Sequence, residues 1–351
     1  MTPTAHPRTA RAAVRKSALG KLFHPQPLAE FAECFAAGRP FVAHGLGRSI
    51  RALTQLPFLQ SVEALLGSWP RVVKAHLPDV ADEASSIDAS PEDARKLFAS
   101  GMGLLFDDAQ TLSPVVAGWL EQLRRELGLS ALTQSRSLVY ATPAGGGTAP
   151  HFDQNVNFVL QLHGRKTWWL AENTHVDNPL TRHTMGLGAD PELQTYARLP
   201  FPASMPRKKQ AVVLERGSCL FVPRGTWHAT EASSDALSLN FTFTAPSWLD
   251  LFSAALRSRL ALSSAWRETA LPAQAETFAA LLRELAEDVP GWRAEDVLSA
   301  TEGREAAVRR ALPSLPIPDE PSVPSAHAPT PVPGRSTASA VPHRTRAAAP
   351  S

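Results

Sequence analysis

Cysteine is scarce in this chain of 351 residues, which contains only Cys34 and Cys219. Two thiols cannot build a disulfide framework, a four-cysteine zinc site or an iron–sulfur cluster. The eleven histidines leave a histidine/carboxylate metal site as the remaining common kind of metal centre. The basic N-terminus also lacks the apolar stretch of a secretory signal, so we expect a cytoplasmic protein.

A large net charge and a long apolar run are also missing. The 35 Lys and Arg residues nearly balance 33 Asp and Glu, which leaves a net charge of +2. Such a small charge creates no field that would attract nucleic acid, and we expect no nucleic-acid partner. No apolar run approaches the roughly 18 residues of a membrane helix, so we expect no membrane span. Lysine is rare, at 7 residues against 28 arginines, which makes a lysine inside an apolar stretch an unusual choice.

The composition changes along the chain and predicts five segments. Residues 1–20 are basic and rich in alanine, and residues 313–351 contain ten prolines, so both are predicted to be disordered. Residues 21–134 are predicted to form a helical N-terminal region and residues 247–312 a helical C-terminal region. Residues 135–246 contain short runs rich in Val, Phe and Trp, separated by Gly and Pro turns without helices between them. This pattern favours an antiparallel barrel or jelly roll, and therefore an all-β core with α-helical additions.

The predicted elements follow from the same patterns. Strands are predicted over residues 39–44, 137–142, 156–162, 167–171, 211–214, 218–222 and 237–244. Helices are predicted over residues 27–37, 88–100, 112–127, 249–262, 273–285 and 304–312.

Candidate metal ligands occur in two segments of the predicted core. His151 and Asp153 are two residues apart, which places them on one face of a strand. Alone, this pair also fits a loop histidine bonded to a nearby aspartate. A Pro-Arg-Gly turn at residues 223–225 leads to His228. Two histidines and one aspartate form a facial triad that leaves positions open for Fe(II) chemistry, whereas a closed zinc site needs a fourth ligand.

Lys166 follows Asp153 by thirteen residues and precedes Thr-Trp-Trp-Leu. A lysine directed into a barrel needs an anion, and the carboxylate of a cosubstrate would supply one. The alternative is a lysine at a strand edge that extends its ammonium group into solvent.

These spacings together resemble the Jumonji-C and cupin-like 2-oxoglutarate-dependent oxygenases. The similarity is greatest to the branch with the asparaginyl hydroxylase of hypoxia-inducible factor and the ribosomal oxygenases, and it covers residues 136–245. It rests on Thr148, His151, Asp153, Asn157, Lys166, the Pro-x-Gly-x-x-His motif ending at His228, and Asn240.

The resemblance implies a double-stranded β-helix (jelly roll, cupin-like) and a role for each matching residue. In such relatives His151, Asp153 and His228 would bind Fe(II), and Thr148 and Lys166 would hold the distal carboxylate of 2-oxoglutarate. The two asparagines, Asn157 and Asn240, would line the pocket. The resemblance also implies a hydroxylase that releases succinate and CO2, and a homodimer formed through the C-terminal helices.

The substrate stays open at this level. A protein side chain is the first choice and a small molecule the second, and demethylation of N-methyl-lysine uses the same chemistry. The insertion at residues 175–207 matches no substrate-binding motif that we recognise. We expect His175 and His183 within it to be surface residues, and the alternative is that they reach the mouth of the metal site. Tyr140 is expected to be a core aromatic residue, and the alternative is that it lines the pocket. Two other classes remain: a metal-dependent cupin enzyme that does not use 2-oxoglutarate, and a non-catalytic barrel that serves as a binding module.

Overall fold

Thirteen strands in the described part of the chain form two antiparallel sheets. The computed structural model describes residues 17–77, 86–271 and 275–295. The strands are β1 Phe41–Ala43, β2 Val73–His76, β3 Ser86–Ala89, β4 Gly103–Phe106, β5 Gln134–Thr142, β6 Gly147–Phe152, β7 Val156–His163, β8 Lys166–Ala171, β9 His183–Thr184, β10 Gln210–Leu214, β11 Cys219–Val222, β12 Trp227–Ala232 and β13 Ala236–Thr244. The larger sheet is ordered β1-β11-β7-β13-β5-β4-β2-β3, and the smaller is ordered β10-β8-β12-β6-β9.

The two sheets enclose one apolar layer, and helices cover the outer face of the larger sheet. Strand β7 contacts both sides of the larger sheet. Its residues from 157 to 162 are all buried, and alternate side chains point to opposite faces of the sheet. Val159 packs with Trp168 and Val212 of the smaller sheet. Phe158 and its alternate neighbours pack in the large cluster with the N-terminal helices. This arrangement is a jelly roll, and the predicted all-β core with α-helical additions is confirmed.

The helices lie before and after the barrel strands, with one short helix inside the insertion. They are α1 Ala18–Leu22, α2 Leu28–Ala36, α3 Arg51–Thr54, α4 Val62–Ser68, α5 Pro91–Ala99, α6 Pro114–Glu126, α7 Pro191–Tyr196, α8 Trp248–Leu260 and α9 Ala275–Asp288. The predicted helix at 304–312 and the segment 313–351 lie outside the described residues. None of the helices that the structure describes is long and apolar enough to cross a membrane.

The prediction of disorder for residues 1–20 is wrong at its C-terminal end, where α1 begins. Ser17 caps this helix by accepting a hydrogen bond from the Gly20 amide. The carboxylate of Glu126, at the end of α6, accepts hydrogen bonds from the Ala18 and Leu19 amides at 3.0 and 2.9 Å. Free amides at a helix N-terminus need such acceptors. Because Glu126 is more than a hundred residues away in sequence, local composition gave no sign of this capping interaction.

The N-terminal region, predicted as mostly helical with short strands, supplies four strands, β1 to β4, to the larger sheet. Strand β4 pairs with β5, and β2 pairs with both β4 and β3. Strand β1 lies within the strand predicted at residues 39–44. Strands β2 to β4 are only four residues long, so their alternation is too short to distinguish from helix. The sheet therefore continues beyond the predicted barrel boundary at residue 134, and the proposed domain limits stay a prediction.

Gly147 lies where strands β6 and β12 approach each other closely. A Cβ atom at this position would overlap the backbone carbonyl group of Thr230. We expect Gly147→Ala to lower the free energy of unfolding by about 2–3 kcal/mol, because the backbone must shift to admit the methyl group.

Gly118 is the matched control for this change. It lies inside helix α6, where an added Cβ atom would meet no atom of a neighbouring element within 4 Å. Alanine at an open helical position stabilises by about 1 kcal/mol relative to glycine. The urea concentration at the unfolding midpoint should therefore fall for Gly147→Ala and rise for Gly118→Ala. Equal shifts of the two midpoints would contradict the close approach at Gly147.

Candidate metal centre and cavity

His151, Asp153 and His228 meet where two paired strands bring the two sequence segments together. Strand β6 carries His151, Asp153 follows directly after it, and His228 lies in β12 opposite His151. Asp153 Oδ1 lies 4.0 Å from His151 Nε2, and Asp153 Oδ2 lies 3.7 Å from His228 Nε2. One ligand atom of each residue lies within 4.8 Å of the others, so the three side chains can hold a metal ion.

Backbone carbonyl groups fix the orientation of both imidazoles. His151 Nδ1 lies 2.7 Å from the Ala149 carbonyl oxygen, and His228 Nδ1 lies 2.9 Å from that of Thr226. Because a carbonyl only accepts, each Nδ1 carries a proton, and Nε2 is the ring nitrogen that lies on the Asp153 side of each imidazole. Burial, and the nearby His151 after it, lowers the pKa of His228 well below its usual value. The His228 imidazole is therefore neutral near pH 7, as a metal ligand must be.

Asp153 is held by its neighbours on the barrel. Asn157 donates a hydrogen bond from Nδ2 to Asp153 Oδ2 at 3.1 Å. Thr242 donates in turn to Asn157 Oδ1 at 2.7 Å, which fixes the amide orientation. The Gly225 amide donates to the Asp153 carbonyl oxygen at 2.8 Å. This hydrogen bond joins the glycine turn that precedes His228 to the backbone of Asp153. It therefore helps to fix the position of His228 relative to Asp153.

A cavity of about 310 Å³ lies beside this triad. All seven site residues that the sequence predicted line it: Thr148, His151, Asp153, Asn157, Lys166, His228 and Asn240. The structure therefore brings these residues together in one cavity, whereas their individual roles stay predictions.

Lys166 is buried in this cavity, with 5% of its surface exposed. Its Nζ donates to Thr142 Oγ1 at 2.7 Å, and no ion pair joins it to a carboxylate among the described residues. Burial lowers the pKa of Lys166 to about 8. The alternative of a strand-edge lysine reaching into solvent is therefore wrong, because the side chain lies between the sheets.

Two further polar side chains in the cavity have the chemistry to receive a ligand. Asn240 is buried, and its Oδ1 has no hydrogen-bond partner. Thr148 Oγ1 lies 2.9 Å from Thr230 Oγ1, so each hydroxyl fixes the position of the other. Buried polar atoms without partners are rare in native proteins, and a bound polar molecule would satisfy the Asn240 oxygen.

The sequence reasoning missed several residues that line the cavity. Tyr140 was not one of them: it is partly buried and lines the cavity, which was the alternative to the core position expected for it. His76, Thr142, Arg182 and Thr230 also line it. They come from β2, β5, the insertion and β12, where no local spacing links them to the triad. Only the pairing of distant strands brings them together.

The insertion at residues 175–207 packs on the barrel beside the metal centre. Strand β9 pairs with β6, so that Thr184 lies opposite His151 and His183 opposite Phe152. The expectation that His183 lies at the surface is wrong, because it is 5% exposed and its ring centroid lies 4.4 Å from that of Phe201. His175 is partly buried. These residues join the cluster of Phe152, Ala171, Val176, Met185, Leu193 and Trp227.

Comparison with known proteins agrees with this geometry. A family model for the JmjC domain matches residues 120–251. The uncharacterized protein YxbC of Bacillus subtilis (strain 168) is 34% identical over 265 residues, which cover 74% of this chain and 80% of YxbC. Ribosomal oxygenase 1 of Rattus norvegicus is 32% identical over 178 residues, which cover 48% of this chain and only 26% of that protein.

Solved structures show a weaker likeness. YcfD, a ribosomal oxygenase from Escherichia coli, in complex with cobalt and succinic acid, is 19% identical with a TM-score of 0.49. That match covers 79% of this chain and 69% of the YcfD chain. The assignment instead rests on the family-model match, on YxbC, of which the chain covers 80%, and on the jelly roll. By these three observations the chain belongs to the JmjC domain family.

Proposed function

We propose that the protein is an Fe(II)- and 2-oxoglutarate-dependent oxygenase that hydroxylates a protein side chain or a small molecule. One observation carries the proposal: two histidines and an aspartate converge in the cavity that also buries Lys166. The name of ribosomal oxygenase 1, which matches about half of this chain, supports the same reaction class. The proposal includes release of succinate and CO2.

The residues that line the cavity fit both Fe(II) and 2-oxoglutarate. Two imidazole nitrogens and one carboxylate are the ligands of the facial triad that non-haem Fe(II) oxygenases use. Lys166 and Thr148 fit the distal carboxylate of 2-oxoglutarate, because a buried ammonium group without a carboxylate partner favours an anion. When bound, Fe(II) and 2-oxoglutarate supply the activation of dioxygen for oxidation of a C–H bond.

The protein's own part in this reaction is to orient the metal ligands and to exclude water from the centre. The carbonyl groups of Ala149 and Thr226 hold the two imidazoles, and Asn157 holds the Asp153 carboxylate. His151 and His228 are 5% and 3% exposed, so bulk water is excluded from that side of the centre. Such preorganised groups lower the reorganisation that the reaction would otherwise require.

The test is a turnover assay with the full chain. Succinate should appear only when Fe(II), 2-oxoglutarate and dioxygen are all present, and it should increase when the substrate is added. The alternative of a cupin enzyme without the cosubstrate predicts turnover that is indifferent to 2-oxoglutarate. A non-catalytic barrel predicts no succinate above the metal-free background, and either result would contradict the proposal.

Two further proposals concern the partner and the location. We propose a homodimer formed through the C-terminal helices, which is supported by exposed apolar side chains on α8 and α9. These are Trp248, Leu249, Phe252, Phe278 and Leu282. We also propose a cytoplasmic location, which is supported by the free thiols of Cys34 and Cys219.

A further inference from the structure

Residues 173–180 lead from strand β8 into the insertion and contact the Pro-Arg-Gly turn at residues 223–225. Arg224 donates a hydrogen bond from Nε to the Pro179 carbonyl oxygen at 2.9 Å. A Cβ atom added at Gly225 would lie 3.1 Å from Pro179 Cδ, so the proline ring packs directly against the glycine. Both contacts join the insertion to the turn that precedes strand β12.

Asn173 joins the same two segments through both ends of its side-chain amide. Its Oδ1 accepts hydrogen bonds from the His175 and Val176 amides at 3.0 and 3.3 Å. Because a backbone amide only donates, these two bonds identify the oxygen, and Nδ2 is the atom that faces the turn. Nδ2 donates to the Gly225 carbonyl oxygen at 3.0 Å. One side chain therefore shapes the start of the insertion and also holds the glycine of the turn.

The turn contacts two of the three candidate metal ligands. The Gly225 amide donates to the Asp153 carbonyl oxygen at 2.8 Å. The carbonyl oxygen of the next residue, Thr226, accepts from His228 Nδ1 at 2.9 Å. A shift of the turn would therefore move both the donor that holds the backbone of Asp153 and the acceptor that orients the His228 imidazole.

We propose that Asn173 and Arg224 are positioning residues of the metal centre, which act on the triad through the turn. Neither side chain is among the described residues that line the cavity, so they affect a bound metal ion by fixing its ligands rather than by touching it. Groups that orient metal ligands typically contribute about 10- to 100-fold to metal affinity. The inference rests on the metal site of the proposed oxygenase, and it makes the insertion a part of that site.

The first test measures Co(II) binding to the full chain by equilibrium dialysis and records the ligand-field absorption of the bound ion. Asn173→Asp is nearly isosteric and keeps an oxygen that accepts from the two insertion amides. A carboxylate cannot donate to the Gly225 carbonyl group, so the contact with the turn is lost. The dissociation constant for Co(II) should rise about 10-fold, and the ligand-field bands should change. Wild-type affinity together with a wild-type spectrum would overturn the inference.

The second test uses two variants of Arg224. Arg224→Met removes the donor that reaches Pro179 and should also raise the dissociation constant for Co(II) about 10-fold. In Arg224→Gln the side-chain amide nitrogen is as many bonds from the backbone as Nε is in arginine. This variant can therefore still donate to Pro179, and it should keep the wild-type affinity. Equal affinities of the two variants would contradict a role for this hydrogen bond, and the pair keeps the test valid if Asn173→Asp fails to fold.

Gln194→Glu is the matched control for the change at Asn173. Gln194 is exposed, and its Nε2 donates to the Ala189 carbonyl oxygen at 2.7 Å within the insertion. The substitution makes the same change from amide to carboxylate, but away from the turn. Its affinity for Co(II) and its spectrum should match those of the wild type. A loss as large as that of Asn173→Asp would contradict an action through the turn.

Wild-type binding separates this inference from the proposed function. If the wild type binds Co(II) and the Asn173 and Arg224 variants bind it equally well, the positioning role alone is wrong. If the folded wild type binds no Co(II), both the proposed metal site and the positioning role are wrong. At saturating Fe(II), the charge-transfer band of the Fe(II)–2-oxoglutarate complex should persist in the variants, because the triad and Lys166 are unchanged.

Discussion

Replacing Asp153 with asparagine is expected to reduce the affinity for Fe(II) or Co(II) by at least ~100-fold, because the single anionic ligand is lost. Both carboxylate oxygens face the metal centre, at 3.7 and 4.0 Å from the two imidazole Nε2 atoms. Asparagine has nearly the same volume and keeps an oxygen that can accept from Asn157. The variant should therefore fold, and equilibrium dialysis with Co(II) should measure the loss of metal directly.

Asp177→Asn is the matched control for this experiment. Asp177 pairs with Arg198 on the exposed face of the insertion. Surface ion pairs contribute little, so both metal affinity and thermal stability should stay close to those of the wild type. If Asp153→Asn bound Co(II) as tightly as the control, the triad would not be the metal site.

Replacing Lys166 with methionine is expected to raise the dissociation constant for 2-oxoglutarate by at least ~100-fold, because one partner of a buried charge pair is removed. The cosubstrate carboxylate would then lie in a buried environment without its cation. Metal affinity in the absence of 2-oxoglutarate should not change, since Lys166 contacts Thr142 rather than the triad. Titration of the charge-transfer band with 2-oxoglutarate measures this affinity.

Lys74→Met provides the control, because this lysine is exposed and pairs with Asp107 at 3.7 Å. It should leave the affinity for 2-oxoglutarate unchanged. An equal effect of the two lysine variants, or none from Lys166→Met, would contradict the role of Lys166 as the partner of the 2-oxoglutarate carboxylate.

The lowered pKa of Lys166 also predicts a pH dependence. In the ligand-free protein this pKa is about 8, so the ammonium group loses its proton as the pH rises through that value. Binding of 2-oxoglutarate should weaken above this pH. The unfolded chain keeps the proton up to a pKa near 10.5, so the Lys166 contribution makes the fold more stable as pH rises from about 8 to 10.5. Lys166→Met should lack both effects.

The sequence predicted the parts of the site whose residues are close together in the chain. His151 and Asp153 are joined by strand spacing, and the Pro-x-Gly turn marks the segment that leads to His228. The jelly roll was also predictable, since turn residues bound most of its strands. Lys166 was identifiable because a lone lysine precedes an apolar run.

Other features depend on contacts between distant segments and had no local signal. His76 and Arg182 reach the cavity only because β2 extends the larger sheet and β9 pairs with β6. Helix α1 is ordered because Glu126 caps it from α6. The buried position of His183 follows from the apolar cluster that the insertion forms with Phe152 and Trp227. In each case tertiary packing, rather than local composition, determines the structure.

The most direct test of the account is anaerobic addition of Fe(II) and then 2-oxoglutarate to the purified protein, followed by visible absorption. We expect a metal-to-ligand charge-transfer band that requires both additions, is absent in Asp153→Asn and needs far more 2-oxoglutarate in Lys166→Met. If the folded wild-type protein binds Fe(II) but shows no such band at saturating 2-oxoglutarate, the proposed cosubstrate and the oxygenase function built on it are wrong.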